Sequence, residues 1–176
     1  MGKFDIDTIR AIMAGSNAQE KIAMLDAVYY RIDEWDIFPI SIFMCGLNDI
    51  NTDVRCATLS MLSNYSHKMS QAELLQALSL IEDCDDKIRL LLVDRFYAIV
   101  SELDDDSLRS FLPYLWHTKE TIRDAAIEML MDFASDFTNE MFQDIVNAYS
   151  CSNMKVRESI SEFLERNGQE HLISLM

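Results

Sequence analysis

Arg55, Arg89, Arg123 and Arg157 recur at a spacing of 34 residues, each directly after a β-branched residue (Val54, Ile88, Ile122 and Val156). A regular ladder of guanidinium groups is one way for a protein to track a phosphate backbone. It can equally serve inside the fold, because a rigid fork of N–H donors matches the carboxylates and carbonyls of neighbouring elements. Composition favours the second use. The 176 residues hold 15 Lys+Arg against 30 Asp+Glu, a formal charge of −15, and a surface of that sign repels nucleic acid and anionic membranes. The ladder therefore reads as structural, and electrostatics favour a basic protein as partner. The blander reading, in which the acidity only confers solubility, stays open.

Other reactive side chains are scattered. His67, His117 and His171 are separated by 50 and 54 residues, so no helical metal pair exists. Cys45, Cys56, Cys84 and Cys151 lie 11, 28 and 67 residues apart and form no C-x-x-C pair. They read as small hydrophobes in a reducing cytosol. With glycines only at 2, 15, 46 and 168, a glycine-rich phosphate loop is impossible, and no G-x-S-x-G elbow occurs. Asp104, Asp105 and Asp106 lack the spaced ligands and glycine of a calcium loop. They suit the positive end of a helix instead. No catalytic residue, metal ligand or cofactor is expected, and the chain reads as non-enzymatic.

The elements that would position these residues follow the same period. One step before Arg55 stands Lys21, beside Ile22, and seven residues past each base come Val28, Leu62, Phe96, Leu130 and Leu164. A second apolar set completes each unit: Ile40-Phe43-Met44-Leu47, Leu74-Ala77-Leu78-Ile81, Leu108-Phe111-Leu112-Leu115 and Phe142-Ile145-Val146-Tyr149. Each reads i, i+3, i+4, i+7, the stripe of an amphipathic helix. Candidate N-caps precede them at Asp36, Ser70, Asp104 and Thr138, and Ser70 with Glu73 makes a capping box. Each unit is therefore expected to be two antiparallel helices.

Pro39 falls in a first turn, where it is tolerated, while Pro113 should kink or break its helix. Residues 5–14 predict one extra helix, stopped at Gly15. A last helix from about Asn153 to Arg166 ends on Asn167-Gly168, before a short Leu172–Met176 tail. The expected organisation is a single domain over 1–176: a capping helix (1–16), units at 17–50, 51–84, 85–118 and 119–152, and a partial unit at 153–176. No apolar run is long enough for a membrane span, and the N-terminus lacks a signal-peptide core. A cytoplasmic location is expected.

The segments Asn51-x-x-Val54-Arg55, Asp85-x-x-Ile88-Arg89 and Asn153-x-x-Val156-Arg157 resemble the first-helix starts of HEAT and HEAT-like armadillo repeats. The resemblance covers roughly residues 17–167. Lys119, with Thr118 as the substitute cap, and Glu20-Lys21 depart from it. It implies an all-α fold: a right-handed superhelix of about five 34-residue two-helix units, with second helices on the concave side and Asp–Arg contacts between neighbours. In overall character the chain is also similar to immunity proteins of bacterial contact-dependent growth-inhibition systems, some of which use such helical folds. That resemblance implies an inhibitor that binds, in a 1:1 complex, the active site of a basic cognate toxin of nuclease type. The alternative is a scaffold or adaptor holding a peptide or subunit of another assembly. A base-excision glycosylase on a HEAT-like scaffold would need a basic concave face, which the charge argues against.

The expected docking face lies on the second helices. Residues 119–152 carry 7 acids and 2 bases, against 7 and 4 in residues 85–118, so the acid excess adjoins Trp116. The candidate partner-binding set is Asp104, Asp105, Asp106, Arg109, Trp116, His117, Glu140, Gln143, Asp144 and Asn147. An aromatic among carboxylates can anchor an interface while the charges steer encounter. Trp116 packed under a neighbouring loop is the competing reading, and Trp35 carries the same ambiguity.

Overall fold

The computed structural model describes residues 5–15, 17–30, 40–169 and 171–174. The candidate cap Asp36, the first-turn Pro39 and Trp35 lie outside the described residues. Among the described residues every regular element is helical and none is a strand. In chain order the α-helices are α1 (Ile6–Ala14), α2 (Ala18–Tyr29), α3 (Ile40–Met44), α4 (Thr52–Ser63), α5 (Gln71–Leu78) and α6 (Asp86–Val100). There follow α7 (Asp105–Phe111), α8 (Glu120–Leu130), α9 (Asn139–Cys151), α10 (Met154–Arg166) and α11 (His171–Ser174).

Short polar side chains start these helices by accepting the first unpaired N–H groups. Asn17, Asn51, Asp85 and Asn153 cap α2, α4, α6 and α10. Ser70, Asp104 and Thr138 cap α5, α7 and α9, and Ser70 and Glu73 form the reciprocal box. At α8 the cap position is Lys119, whose side chain makes no capping bond. Thr118 does not replace it; its carbonyl accepts from Arg123 instead. At the other end of the chain Asn167 closes α10, and Gly168 takes the left-handed φ of 66° that a side chain would resist.

The chain divides into two compact units, Met1–Glu102 and Leu103–Met176. In the first, α2 packs on α4 and α4 on α6, with α1 against α2 and α3 and with α5 against α6. Its core includes Val28, Phe43, Val54, Leu62, Leu74, Ile88 and Phe96, all at most 2% exposed. In the second, α8, α9 and α10 pack around the turn Leu112–Trp116, burying Phe111, Leu115, Leu130, Ile145, Ile160, Phe163 and Leu164. A fully buried side chain of this size contributes about 1.5–3 kcal/mol.

Three of the four second-helix stripes are buried throughout, but in α9 only Ile145 of the expected set is. Met141 takes the inward place one turn earlier, and Phe142, Val146 and Tyr149 are half-buried. α9 also continues as α-helix where α3, α5 and α7 tighten into 3-10 turns (Cys45–Asn48, Ser79–Glu82 and Leu112–Trp116). Pro113 sits at the start of the last of these turns. The same change occurs at Cys45 and Ser79 without a proline, so Pro113 fits the tightening rather than causing it.

Candidate partner-binding surface

In the first unit the basic column meets carboxylates. Lys21 Nζ lies 2.6 Å from Asp49, with both side chains 10% exposed. Arg55 binds Asp83 through two nitrogens, Nε at 2.7 Å and Nη2 at 2.9 Å. Its Nη1 donates to the carbonyls of Asp49 and Ile50. Arg89 donates to the carbonyl of Asp83 and the carboxylate of Asp86. Asp49 and Asp83 in turn accept the N–H of Asn51 and Asp85, each at 2.8 Å. One carboxylate thus fixes both a buried cation and the entry to the next helix.

Burial pushes the Asp49 and Asp83 carboxyls up, but the bonds from Lys21 and Arg55 and from the backbone N–H groups outweigh it and hold both below the usual carboxylate range. Their contribution to stability is therefore complete above the unfolded value of about 4 and is lost as pH falls through the lower folded value. Thermal midpoints should drop steeply in that window, and Asp49→Asn with Asp83→Asn should flatten the drop while lowering the plateau at neutral pH.

In the second unit the column finds other acceptors. Arg123, 3% exposed, donates from Nη1 to the carbonyls of His117 and Thr118 at 2.8 and 3.2 Å, and from Nε to Ser159 Oγ at 3.0 Å. His117 Nδ1 accepts the N–H of Lys119 at 3.1 Å, the task that Asp49 and Asp83 perform in the first unit. Arg157 reaches the carbonyls of Tyr149 and Ser150 and lies 5.6 Å from the Tyr149 ring centre. These bonds direct the column toward the chain's own backbone.

The residues read as a docking face divide in their roles. Asp104 caps α7, and the Ser107 hydroxyl and N–H hold its carboxyl below the usual range. Asp105 and Asp106 are exposed in the same first turn. Arg109 crosses to α9, binding Asp144 at 2.5 and 3.1 Å and Glu140 at 2.8 Å. Gln143 bonds Asn147 at 3.1 Å. Trp116 ends the 3-10 turn, half-buried, with His117 beside it. The two α9 carboxylates chosen for their charge thus already hold a cation between them.

A different set of acids is mostly unpaired among the described residues. Glu120 and Asp124 of α8 and Glu158 and Glu162 of α10 line one groove of about 220 Å³, with Arg123, Lys155 and Ser159. Among the described residues Glu120, Asp124 and Glu158 form no ion pair, and Glu162 meets only the exposed Arg166, at 3.5 Å. Burial raises the Asp124 carboxyl; Glu120 and Glu162 raise it further, against the opposing pull of Arg123. The ionised carboxylate is thus disfavoured in the folded state, and its penalty grows as pH rises from the unfolded value of about 4. Asp124 is itself exposed, so solvent screens this penalty, and Asp124→Asn should raise the urea midpoint at neutral pH only slightly. On the far side of Glu158 and Glu162 a second groove of about 360 Å³ is lined by Tyr149, Met154, Arg157 and Glu165. Met154 is 74% exposed.

The signal for this surface was present in the sequence. Glu158, Glu162 and Glu165 follow i, i+4, i+7, and Asp124 and Glu128 lie one 34-residue period before the first two. The cysteines also differ from expectation. Cys45, Cys84 and Cys151 are exposed, and only Cys56 is half-buried, its thiol raised first by burial and then by Asp53 and Asp85.

Among the described residues no three His, Cys, Asp or Glu side chains converge to hold a metal ion, and no helix is long and apolar enough to cross a membrane. Compared with family models, with curated proteins and with solved structures, the chain matches none.

Proposed function

We propose that this chain is a non-enzymatic protein-binding inhibitor: an acidic immunity protein that covers the active site of a basic cognate toxin, of nuclease type, in the cytoplasm of a bacterial cell. In this reading the helical pairs form a HEAT-like right-handed superhelix, and the inhibitor imitates the negative field of the nucleic acid the toxin would bind. The observation that carries the reading is the set of carboxylates on α8 and α10 that line one groove, three of which form no ion pair among the described residues. A cation placed among them relieves their repulsion, so part of the driving force for docking is stored in the free protein. The α9 acids contribute less, because Arg109 already pairs with both Glu140 and Asp144 and offsets one of their two charges.

The test is titration of the chain with the product of the adjoining reading frame at low and high salt. A 1:1 complex whose association slows with salt is expected. Its affinity should fall about tenfold with Glu158→Gln and Glu162→Gln together and hold with Glu140→Gln. Absence of a complex with any basic protein encoded nearby overturns the reading.

A further inference from the structure

Arg123 has an incomplete set of bonds. In Arg55 the Nε and Nη2 side of the guanidinium is filled by the Asp83 carboxylate, 28 residues on. At the matching distance from Arg123 stands Cys151. The Ser159 hydroxyl serves Nε, and no hydrogen bond among the described residues uses Nη2. No fully buried side-chain nitrogen among the described residues lacks a partner, so Nη2 is not wholly enclosed, although Arg123 as a whole is only 3% exposed. The groove between α8 and α10 is the opening that Arg123 lines. A buried donor in a groove lined by four acids (Glu120, Asp124, Glu158 and Glu162) against the single further base Lys155 asks for a ligand that brings both an acceptor and a positive charge. Across Glu162, the exposed Met154 and the Tyr149 ring, one side of which carries Arg157, add apolar surface to a second groove.

The geometry points to a basic peptide segment as the occupant. A lysine or arginine side chain enters between the α8 and α10 carboxylates, a backbone carbonyl of the same segment accepts from Arg123 Nη2, and a neighbouring apolar side chain rests on Met154 and Tyr149. This deepens the proposed function, on which it rests, by naming the recognition element the partner must present. It also accounts for a cationic residue in an acidic groove. A bare cation would be repelled by Arg123, whereas a peptide offers it a carbonyl oxygen.

The probe is a blocked peptide of alternating lysine and leucine, with companions in which glycine replaces leucine or glutamate replaces lysine. Binding is followed by amide NMR shifts on the full chain. With the lysine–leucine peptide, shifts should concentrate on 120–128 and 154–165, and Glu158→Gln with Glu162→Gln should weaken binding about tenfold. Met154→Ser should weaken the lysine–leucine peptide about threefold and leave the lysine–glycine peptide unchanged. The glutamate peptide should not bind. Shifts centred on α7 and α9 or on the first unit, or affinities indifferent to these substitutions, overturn the assignment while leaving a basic partner in place. No saturable shift with either lysine peptide overturns both.

Discussion

Replacement of Arg55 by methionine should lower the unfolding free energy by about 3–5 kcal/mol, because it strands the buried Asp83 carboxylate without its cation. The guanidinium makes two bonds to Asp83 and two more to the carbonyls of Asp49 and Ile50. With both charged side chains under a tenth exposed, water cannot fully replace them. A loss of that size is a large share of the about 5–15 kcal/mol that holds a typical domain together. Arg55→Lys should lose less, since Lys21 shows that an ammonium can hold the equivalent Asp49 through a single contact. Adding Asp83→Leu to Arg55→Met should recover part of the loss, by removing the stranded charge. Urea midpoints of the four proteins decide this. Equal midpoints for wild type and Arg55→Met would mean that the column is dispensable.

Alanine at Gly46 should cost about 1–3 kcal/mol, from overpacking rather than from backbone conformation. The 3-10 turn Cys45–Asn48 lies directly on α4, and a Cβ at Gly46 would coincide with the Thr58 hydroxyl and stand 3.1 Å from both the Thr58 methyl and the Met13 methyl. Thr58 cannot easily yield. It is fully buried, branched at Cβ, and bonded to the Val54 carbonyl at 2.8 Å. Thr58→Ser in the Gly46→Ala background removes one of the crowding groups and should restore part of the midpoint. Thr58→Ser alone should be mildly destabilising, and full stability of Gly46→Ala by itself would disprove the close packing.

Much of the helical layout could be read from residue types because the signals were local. Ser70, Asp104 and Thr138 cap where short polar side chains precede an apolar stripe, and Asp5 and Gly15 bracket α1. What escaped depended on pairing between distant elements. Nothing in the sequence around Gly46 signals its contact with Thr58. Arg109 meets Asp144 and Glu140 at separations of 35 and 31 residues, and no helical spacing anticipates such a clamp. Glu140 and Asp144 therefore enter the candidate partner-binding set from sequence, although the fold pairs both with Arg109. The α8 and α10 carboxylates erred the other way. Their regular offsets resemble an ordinary solvated face, and only the groove between the helices distinguishes them. His117 has no metal-ligand spacing in the sequence, and its ring nitrogen does the work of an aspartate at the start of α8.

The acceptors of the basic column set the order in which acid would dismantle the protein. Lys21 and Arg55 are tethered to carboxylates, which protonation discharges, whereas Arg123 and Arg157 hold carbonyl and hydroxyl oxygens that no accessible pH alters. Acidification thus dissolves the column's joints in the N-terminal half and spares those that Arg123 and Arg157 make in the C-terminal half, where the carboxylate joint is instead the Arg109 clamp between α7 and α9. Amide exchange at about pH 3 should release α2, α4 and α6 while α8 and α10 remain protected.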